Sequence, residues 1–317
     1  MHHFLEYSDE VRTALSANKP VLALESTVIT HGLPFPDNLT TGLALEEIAR
    51  NHQVVPATIA IMDGKIKIGL SSQELGRLAE SKDVIKASKR DLPFVLSEKC
   101  FAGTTVAATL FCAAAAKIQV FATGGIGGVH RGTDMDISAD LIELSCTPIA
   151  VVCAGAKAIL DLPKTLEFLE TYSVPVIGYQ TDTLPAFYTE KTAYKLTTRA
   201  NSVTALKTMV EIHNQLNLPS GMLIMNPIPK VDSIPVEVIE PIIDAAVKKA
   251  EALKISGKEI KIVAIADRIE INKENKEKEK ANEKGKTLKS KPVIKFDFEI
   301  ENISVGEFVL TGGEVPA

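Results

Sequence analysis

Residues 118–161 read IQVFATGGIGGVHRGTDMDISADLIELSCTPIAVVCAGAKAILD, and this stretch decides the fold. The apolar run from Ile118 to Ala122 has the length and composition of a buried strand, and Ile149 to Val152 repeats the pattern. Between the two runs, four glycines fall within five residues: Gly124, Gly125, Gly127 and Gly128. His130, Arg131 and Gly132 follow, then Asp134, Asp136 and Asp140. Beyond the second run, Cys153 and Gly155 lead to Lys157. Strand, glycine loop, polar cluster, strand and lysine, in that order, is how an α/β protein assembles a site at the carboxyl ends of its strands.

The glycine loop has two readings. Glycine lets the chain turn tightly, and it also lets successive N–H groups form a concavity that holds an anion, helped by the start of a following helix. The neighbouring His, Arg and acidic residues favour a phosphate site. The spacing fits neither the dinucleotide fingerprint nor the P-loop, because it lacks the GxGxxG rhythm and no GK[ST] follows. Lys157 is similarly double. Most lysines are solvated surface charges, but an amine held in apolar surroundings at a strand end gives up its proton more readily and can form a Schiff base with an aldehyde.

The chain has 317 residues, 45% of them hydrophobic, and a net charge of −5. That supports a sizeable core and offers no broad basic surface for nucleic acid. The four cysteines (Cys100, Cys112, Cys146, Cys153) have no metal-ligand spacing and read as free thiols of a reducing compartment. No apolar run approaches a membrane span, and the N-terminus resembles neither a signal nor a transit peptide, so a cytoplasmic protein without membrane partners is expected.

Outward from the central stretch, strands and helices alternate. An amphipathic helix is expected over 5–18, a strand over 20–24 and a helix over 39–51. Val54 to Ile61 and Lys65 to Leu70 read as two strands joined by a hairpin at Asp63-Gly64. Ser71 caps a helix with Glu74 in its first turn. The small-residue segment 103–116 reads as a closely packed helix, followed later by helices at 163–173, 201–215 and 235–254 and strands at 174–179 and 222–225. This alternation predicts a single-domain, three-layer α/β/α sandwich around a mixed, largely parallel sheet.

Within that frame, Glu25 closes the first buried strand. It reads either as a core-edge carboxylate paired with a backbone donor or as a general acid whose proton burial retains. GLPFPDN at 32–38 reads as a rigid loop suited to line or cover a site. Lys86, Lys89, Arg90 and Asp91 look like a solvated charge run. Asp136 and Asp140 stand four apart, so a helix starting at DISADLIEL would place them on one face, a donor set suited to Mn²⁺ or Mg²⁺.

FATGGIGGVHRG, DISADL and VVCAGAK together resemble the pseudouridine-5'-phosphate glycosidase family. So do ALESTVITHGLPFPDN at 23–38, VPATIAIMDGKIKIGL at 55–70, KASKRDLP at 86–93, TTVAAT at 104–109, VPVIGYQTDTLPAFY at 174–188 and LIMNPIP at 223–229. The motifs keep the family's order over about residues 15–258. The resemblance implies reversible cleavage of pseudouridine 5'-phosphate to uracil and ribose 5-phosphate. It makes Glu25 the proton donor and Lys157 the residue that forms an imine with the sugar. It also implies substrate contacts at Lys86, Val106, His130, Ser138, Ala139 and Asp140, a Mn²⁺ or similar divalent cation at Asp136, and a homotrimer.

Beyond residue 258 the resemblance is expected to fail, since the family's asparagine-bearing C-terminal segment is not found. Residues 259–271 contain an apolar run that reads as a strand, and 272–291, with eight Lys and four Glu, reads as disordered. The tail 292–317 ends in FEIENISVGEFVLTGGEVPA, which resembles a fragment of bacterial tRNA (guanine-N1)-methyltransferase and is too short to bury its own core. The missing family segment, with Asn201 where the family has Asp, leaves an alternative: a catalytically inactive member that binds sugar phosphate or a partner.

Overall fold

β2 (Val21–Leu24) is buried along its whole length and has a parallel partner on each side, β3 (Val55–Met62) and β7 (Val120–Ala122). The computed structural model, which describes residues 2–132 and 135–252, is built outward from this strand. Val-Leu-Ala-Leu forms a central strand because both of its faces are covered, the usual situation of a parallel sheet under helices.

From β2 the chain first moves to one side. Helix α2 (Asp37–Asn51) crosses back to β3, and a tight turn at Asp63-Gly64, both at positive φ, reverses the chain into antiparallel β4 (Lys65–Ile68). The short strand β1 (Leu5–Tyr7) closes that edge against β4. The expected helix over 5–18 is therefore split: three residues join the sheet, and α1 (Asp9–Ser16) begins behind the cap at Ser8. Helix α3 (Ser72–Glu80) begins behind the expected cap at Ser71, which forms a capping box with Glu74.

Two short strands that periodicity did not reveal, β5 (Ile85–Ala87) and β6 (Ala102–Thr104), flank α4 (Leu92–Ser97), and β6 pairs with β3. Helix α5 (Val106–Ala115) then packs Val106, Ala107, Ala108, Leu110, Cys112 and Ala113 into the core; its small side chains permit close approach to the sheet.

The chain next returns to the other side of β2. β7 leads through the glycine loop and α6 (Ala139–Cys146) to β8 (Ala150–Cys153). Helix α7 (Leu162–Thr171), β9 (Val176–Tyr179), β10 (Thr198–Ala200), α8 (Val203–Gln215) and β11 (Met222–Met225) follow, and β11 inserts between β8 and β9. The last described element is α9 (Val236–Ala252), with Pro241 inside it. The main strand order is β1-β4-β3-β2-β7-β8-β11-β9-β10, and among the described strands only the β3–β4 and β3–β6 pairings are antiparallel. The sheet is thus mixed and largely parallel, as the sequence predicts. The expected strand within 259–271, the Lys/Glu-rich stretch and the tail lie outside the described residues.

One topological point positions the site. Leaving β2, the chain winds one way to β3 and β4, and later winds the opposite way through β7 and β8. At such a switch point the connections depart to opposite sides and leave a crevice beyond the carboxyl ends of the two central strands. Here those ends carry Glu25 and Thr123.

Candidate active site

Register fixes the floor of the crevice. Leu24 pairs with Ala122, and Ala122 with Val152, so Glu25, Thr123 and Cys153 stand level on three neighbouring strands. Adjacent strands are ~4.8 Å apart, which brings the three connections into one small region. Both oxygens of the Glu25 carboxylate are engaged: Thr123 Oγ1 donates to Oε1 at 2.6 Å, and Thr27 Oγ1 donates to Oε2. Neither threonine is singled out by motif spacing, although Thr123 stands directly before the first glycine.

Lys157 comes to this region through the loop after β8. Ile126 N–H donates to Gly155 O at 3.1 Å, and Lys157 N–H donates to Ile126 O at 3.1 Å. The segment Gly155–Lys157 therefore runs alongside the glycine loop as a short parallel ladder. Farther on, Asp161 N–H donates to Val129 O at 2.8 Å, and Leu160 bridges His130. Gly155 has φ +108°, and a Cβ there would lie 2.1 Å from Pro185 O, so only glycine permits this path.

The glycine loop serves close packing. A Cβ at Gly125 would meet Phe187 at 2.5 Å, one at Gly127 would meet Ser138 Oγ at 2.2 Å, and one at Gly128 would meet Thr165 Oγ1 at 2.5 Å. The Gly127 N–H is given to Asp140 Oδ2 at 2.9 Å. The loop is a tightly held support, with Asp140 accepting an amide that the anion reading would have offered to a phosphate.

Asp140 is buried, and its other oxygen, Oδ1, accepts the Ala107 N–H at 2.9 Å. Ala107 lies in the first turn of α5, where amide hydrogens have no intrahelical acceptor. Asp140 therefore ties the starts of α5 and α6 to the glycine loop, which gathers Val106, Ser138, Ala139 and Asp140 into one corner of the crevice. Ser138 is the cap of α6, accepting the Asp140 N–H at 3.2 Å, and Ala139 is exposed in its first turn.

Asp136 lies before α6, so it and Asp140 do not share a helix face. The segment 136–138 runs back along 128–130: His130 N–H donates to Asp136 O at 2.9 Å, and Ser138 N–H donates to Gly128 O at 3.0 Å. The two side chains also approach, with His130 Nδ1 at 3.9 Å from Asp136 Oδ2. Among the described residues, no three His, Cys, Asp or Glu side chains gather as a metal-binding group.

Lys86 is the half-buried central residue of β5, in register with Gly103. Of its neighbours, Arg90 is solvated as a charge run predicts, but Lys89 is not. Lys89 donates to both oxygens of buried Glu143 on α6, at 3.1 and 2.8 Å, and its ammonium lies 4.7 Å from the centroid of the Phe111 ring. The carboxylate beside it holds the Lys89 ammonium above the usual lysine range, and the same pair anchors the Lys86 segment to α6. Arg131 reaches across to α9. It pairs with Glu240 and Asp244 of α9 at 3.3 and 2.7 Å and donates to Leu160 O and Ala158 O. Asn201 accepts from Arg199 Nε at 2.7 Å, so it supplies the acceptor an aspartate would supply there.

The sequence model of the indigoidine synthase A like protein family matches residues 10–282, on both sides of the span recognised from motifs. A pseudouridine-5'-phosphate glycosidase of Staphylococcus aureus is 54% identical over 264 residues, covering 82% of this chain and 85% of the relative. The chain belongs to the pseudouridine-5'-phosphate glycosidase family. Another member, from Legionella pneumophila, is 52% identical over 261 residues, covering 82% of this chain and 84% of its own. Among solved structures, the prealnumycin C-glycosynthase AlnA in complex with ribulose 5-phosphate superposes with a TM-score of 0.76 at 39% identity, covering 83% of this chain and 86% of that one. An indigoidine synthase A-like protein from Thermotoga maritima gives 0.76 at 33% identity, covering 85% and 88%. These relatives share the α/β architecture.

Proposed function

We propose that this chain cleaves, reversibly, the C-glycosidic bond of pseudouridine 5'-phosphate to give uracil and ribose 5-phosphate. The observation that carries the proposal is the placement of Glu25 and Lys157, one at the end of β2 and the other on the loop after β8, on either side of the glycine loop. A carbon–carbon glycosidic bond has no heteroatom leaving group, so protonation alone does not break it. An amine and an acid together provide a route.

Lys157 Nζ attacks C1' of the ribose while the bond from C1' to the ring oxygen breaks, and Glu25 gives that oxygen its proton. The adduct nitrogen gives a proton back to the Glu25 carboxylate, its lone pair forms a C=N bond, and the electrons of the C1'–C5 bond pass to uracil, which takes that proton from Glu25 at C5 and leaves. Water hydrolyses the imine, restoring the amine and releasing ribose 5-phosphate. Val106 and Ser138–Ala139 stand at the starts of α5 and α6, whose dipoles favour an anionic phosphate, and Lys86 and His130 supply further donors. Asp140 shapes that corner by holding the two helix starts together.

A divalent cation such as Mn²⁺ would be held by Asp136, beside His130. One carboxylate leaves most of its coordination to water, which suits a hard cation bound weakly. Such an ion would supply positive charge near the sugar phosphate. Assembly as a homotrimer and a cytoplasmic setting follow the family. Among the described residues, no helix is long and apolar enough to cross a membrane.

The test is direct. The purified chain, given pseudouridine 5'-phosphate, should release uracil and ribose 5-phosphate, and borohydride with ribose 5-phosphate should add the sugar's mass at Lys157. Chelation should abolish turnover and Mn²⁺ should restore it. Unchanged turnover in Lys157→Ala would sink the mechanism. A chain that binds ribose 5-phosphate but neither cleaves nor traps would be the inactive binding member.

A further inference from the structure

We infer that Thr27 and Thr123 are positioning residues for Glu25, an assignment that rests on Glu25 acting as the proton donor in C-glycosidic cleavage. The carboxylate is gripped from two directions. Thr27 reaches Oε2 from the same connection, two residues on, while Thr123 reaches Oε1 at 2.6 Å from the end of the neighbouring strand. Thr27 is buried and Thr123 half-buried. Thr123 is itself fixed, because its N–H donates to Val152 O at 3.0 Å. It thus joins the end of β2, which carries the acid, to the end of β8, which leads to Lys157.

Two hydroxyls suit a carboxyl that passes a proton. An ionised carboxylate only accepts hydrogen bonds, whereas the protonated acid donates from one oxygen. A lysine, arginine or backbone amide in the partner position could only donate and would resist the protonated form. A threonine hydroxyl turns about its C–O bond, donating to the carboxylate and accepting from the acid, so Glu25 keeps its place through both states. The β-branch restricts the side chain to few rotamers, which makes the grip stiff. Positioning of this kind acts on the chemical step, because a misplaced proton donor loses much of its contribution while the substrate still binds elsewhere.

The experiment compares the full-length wild type, Thr123→Val, Thr123→Ser and Thr27→Val on pseudouridine 5'-phosphate. Each variant's melting curve is recorded, and Lys157 trapping by borohydride and ribose 5-phosphate is measured alongside. Thr123→Val should lower kcat about 10-fold, with KM within about twofold, while Thr123→Ser keeps most of the activity. Thr27→Val should act in the same sense, which covers the case of a poorly folded Thr123→Val. In a Glu25→Gln background, Thr123→Val should cause no further loss beyond about twofold, since it acts through the missing acid. An undiminished kcat in both valine variants, an equal 10-fold loss without Glu25, or a serine variant as slow as the valine would overturn the positioning role. A wild type that neither cleaves nor traps would overturn the cleavage assignment and the role with it; an active wild type matched by both valine variants would overturn the threonine role alone.

Discussion

Replacing Asp140 by alanine separates two roles for that carboxylate, ligand contact and structural tie. Asp140 is 6% exposed, and its oxygens accept Ala107 N–H and Gly127 N–H, each at 2.9 Å. Alanine leaves both amides without their acceptor, and an unpaired buried donor costs about 1–3 kcal/mol. Ala107 is buried in the first turn of α5 and takes the upper part of that range, whereas Gly127 is only half-buried and takes the lower. The sum is a loss of about 2–5 kcal/mol. In a domain of this size that lowers the melting temperature by roughly 4–20 °C, at ~2–4 °C per kcal/mol. Asn at the same position keeps one acceptor and turns an amide toward the other donor, so it should lose about half as much. Denaturant unfolding followed by circular dichroism measures the difference, with the slope checked so that the midpoint shift reports stability. Asp140→Ala within about 0.5 kcal/mol of the wild type, with activity lost, would refute the structural tie and return the carboxylate to the substrate.

Three further outcomes are expected. Burial lowers the pKa of His213 below the ordinary 6.5, so the unfolded chain binds the proton first and stability falls as pH drops below about 6.5 toward the folded-state value; a pH series of unfolding curves should lose that slope in His213→Gln. Burial pushes the Cys112 and Cys153 thiols up to about 12, whereas Cys146 is exposed. Iodoacetamide at pH 8 should therefore label Cys146 in the native chain and the other two only in denaturant, and rapid native labelling of Cys153 would contradict its burial. Arg131→Ala removes ion pairs to half-exposed Glu240 and Asp244, worth ~1 kcal/mol or less after solvent screening. It should raise amide exchange in α9 by up to about fivefold while leaving β2, β7 and β8 unchanged, as mass spectrometry of peptides would show.

Much of this protein is legible in its sequence because the signals are local. Ile149 to Val152 and Val21 to Leu24 announce buried strands by apolar content alone, Asp63-Gly64 a hairpin, and Ser71 with Glu74 a capped helix. Each depends on side chains within a few residues of one another. Glu25 and Lys157 are legible as candidates for the same reason, since each follows a buried run. Chain order does not say which strand ends meet. β2 and β8 are far apart in the chain, and only the insertion of β7 between them puts Glu25 level with Thr123 and one strand from the loop of Lys157. The short strands β1, β5 and β6 are invisible to periodicity because three residues become a strand only when a neighbouring edge supplies their hydrogen bonds. Polar side chains are the least legible of all. Nothing in their local sequence says that Arg131 pairs with the acids of α9 or that Asp140 accepts the amides of Ala107 and Gly127. A buried donor or acceptor must find its partner wherever the packing brings one, and that choice is made between segments far apart in sequence.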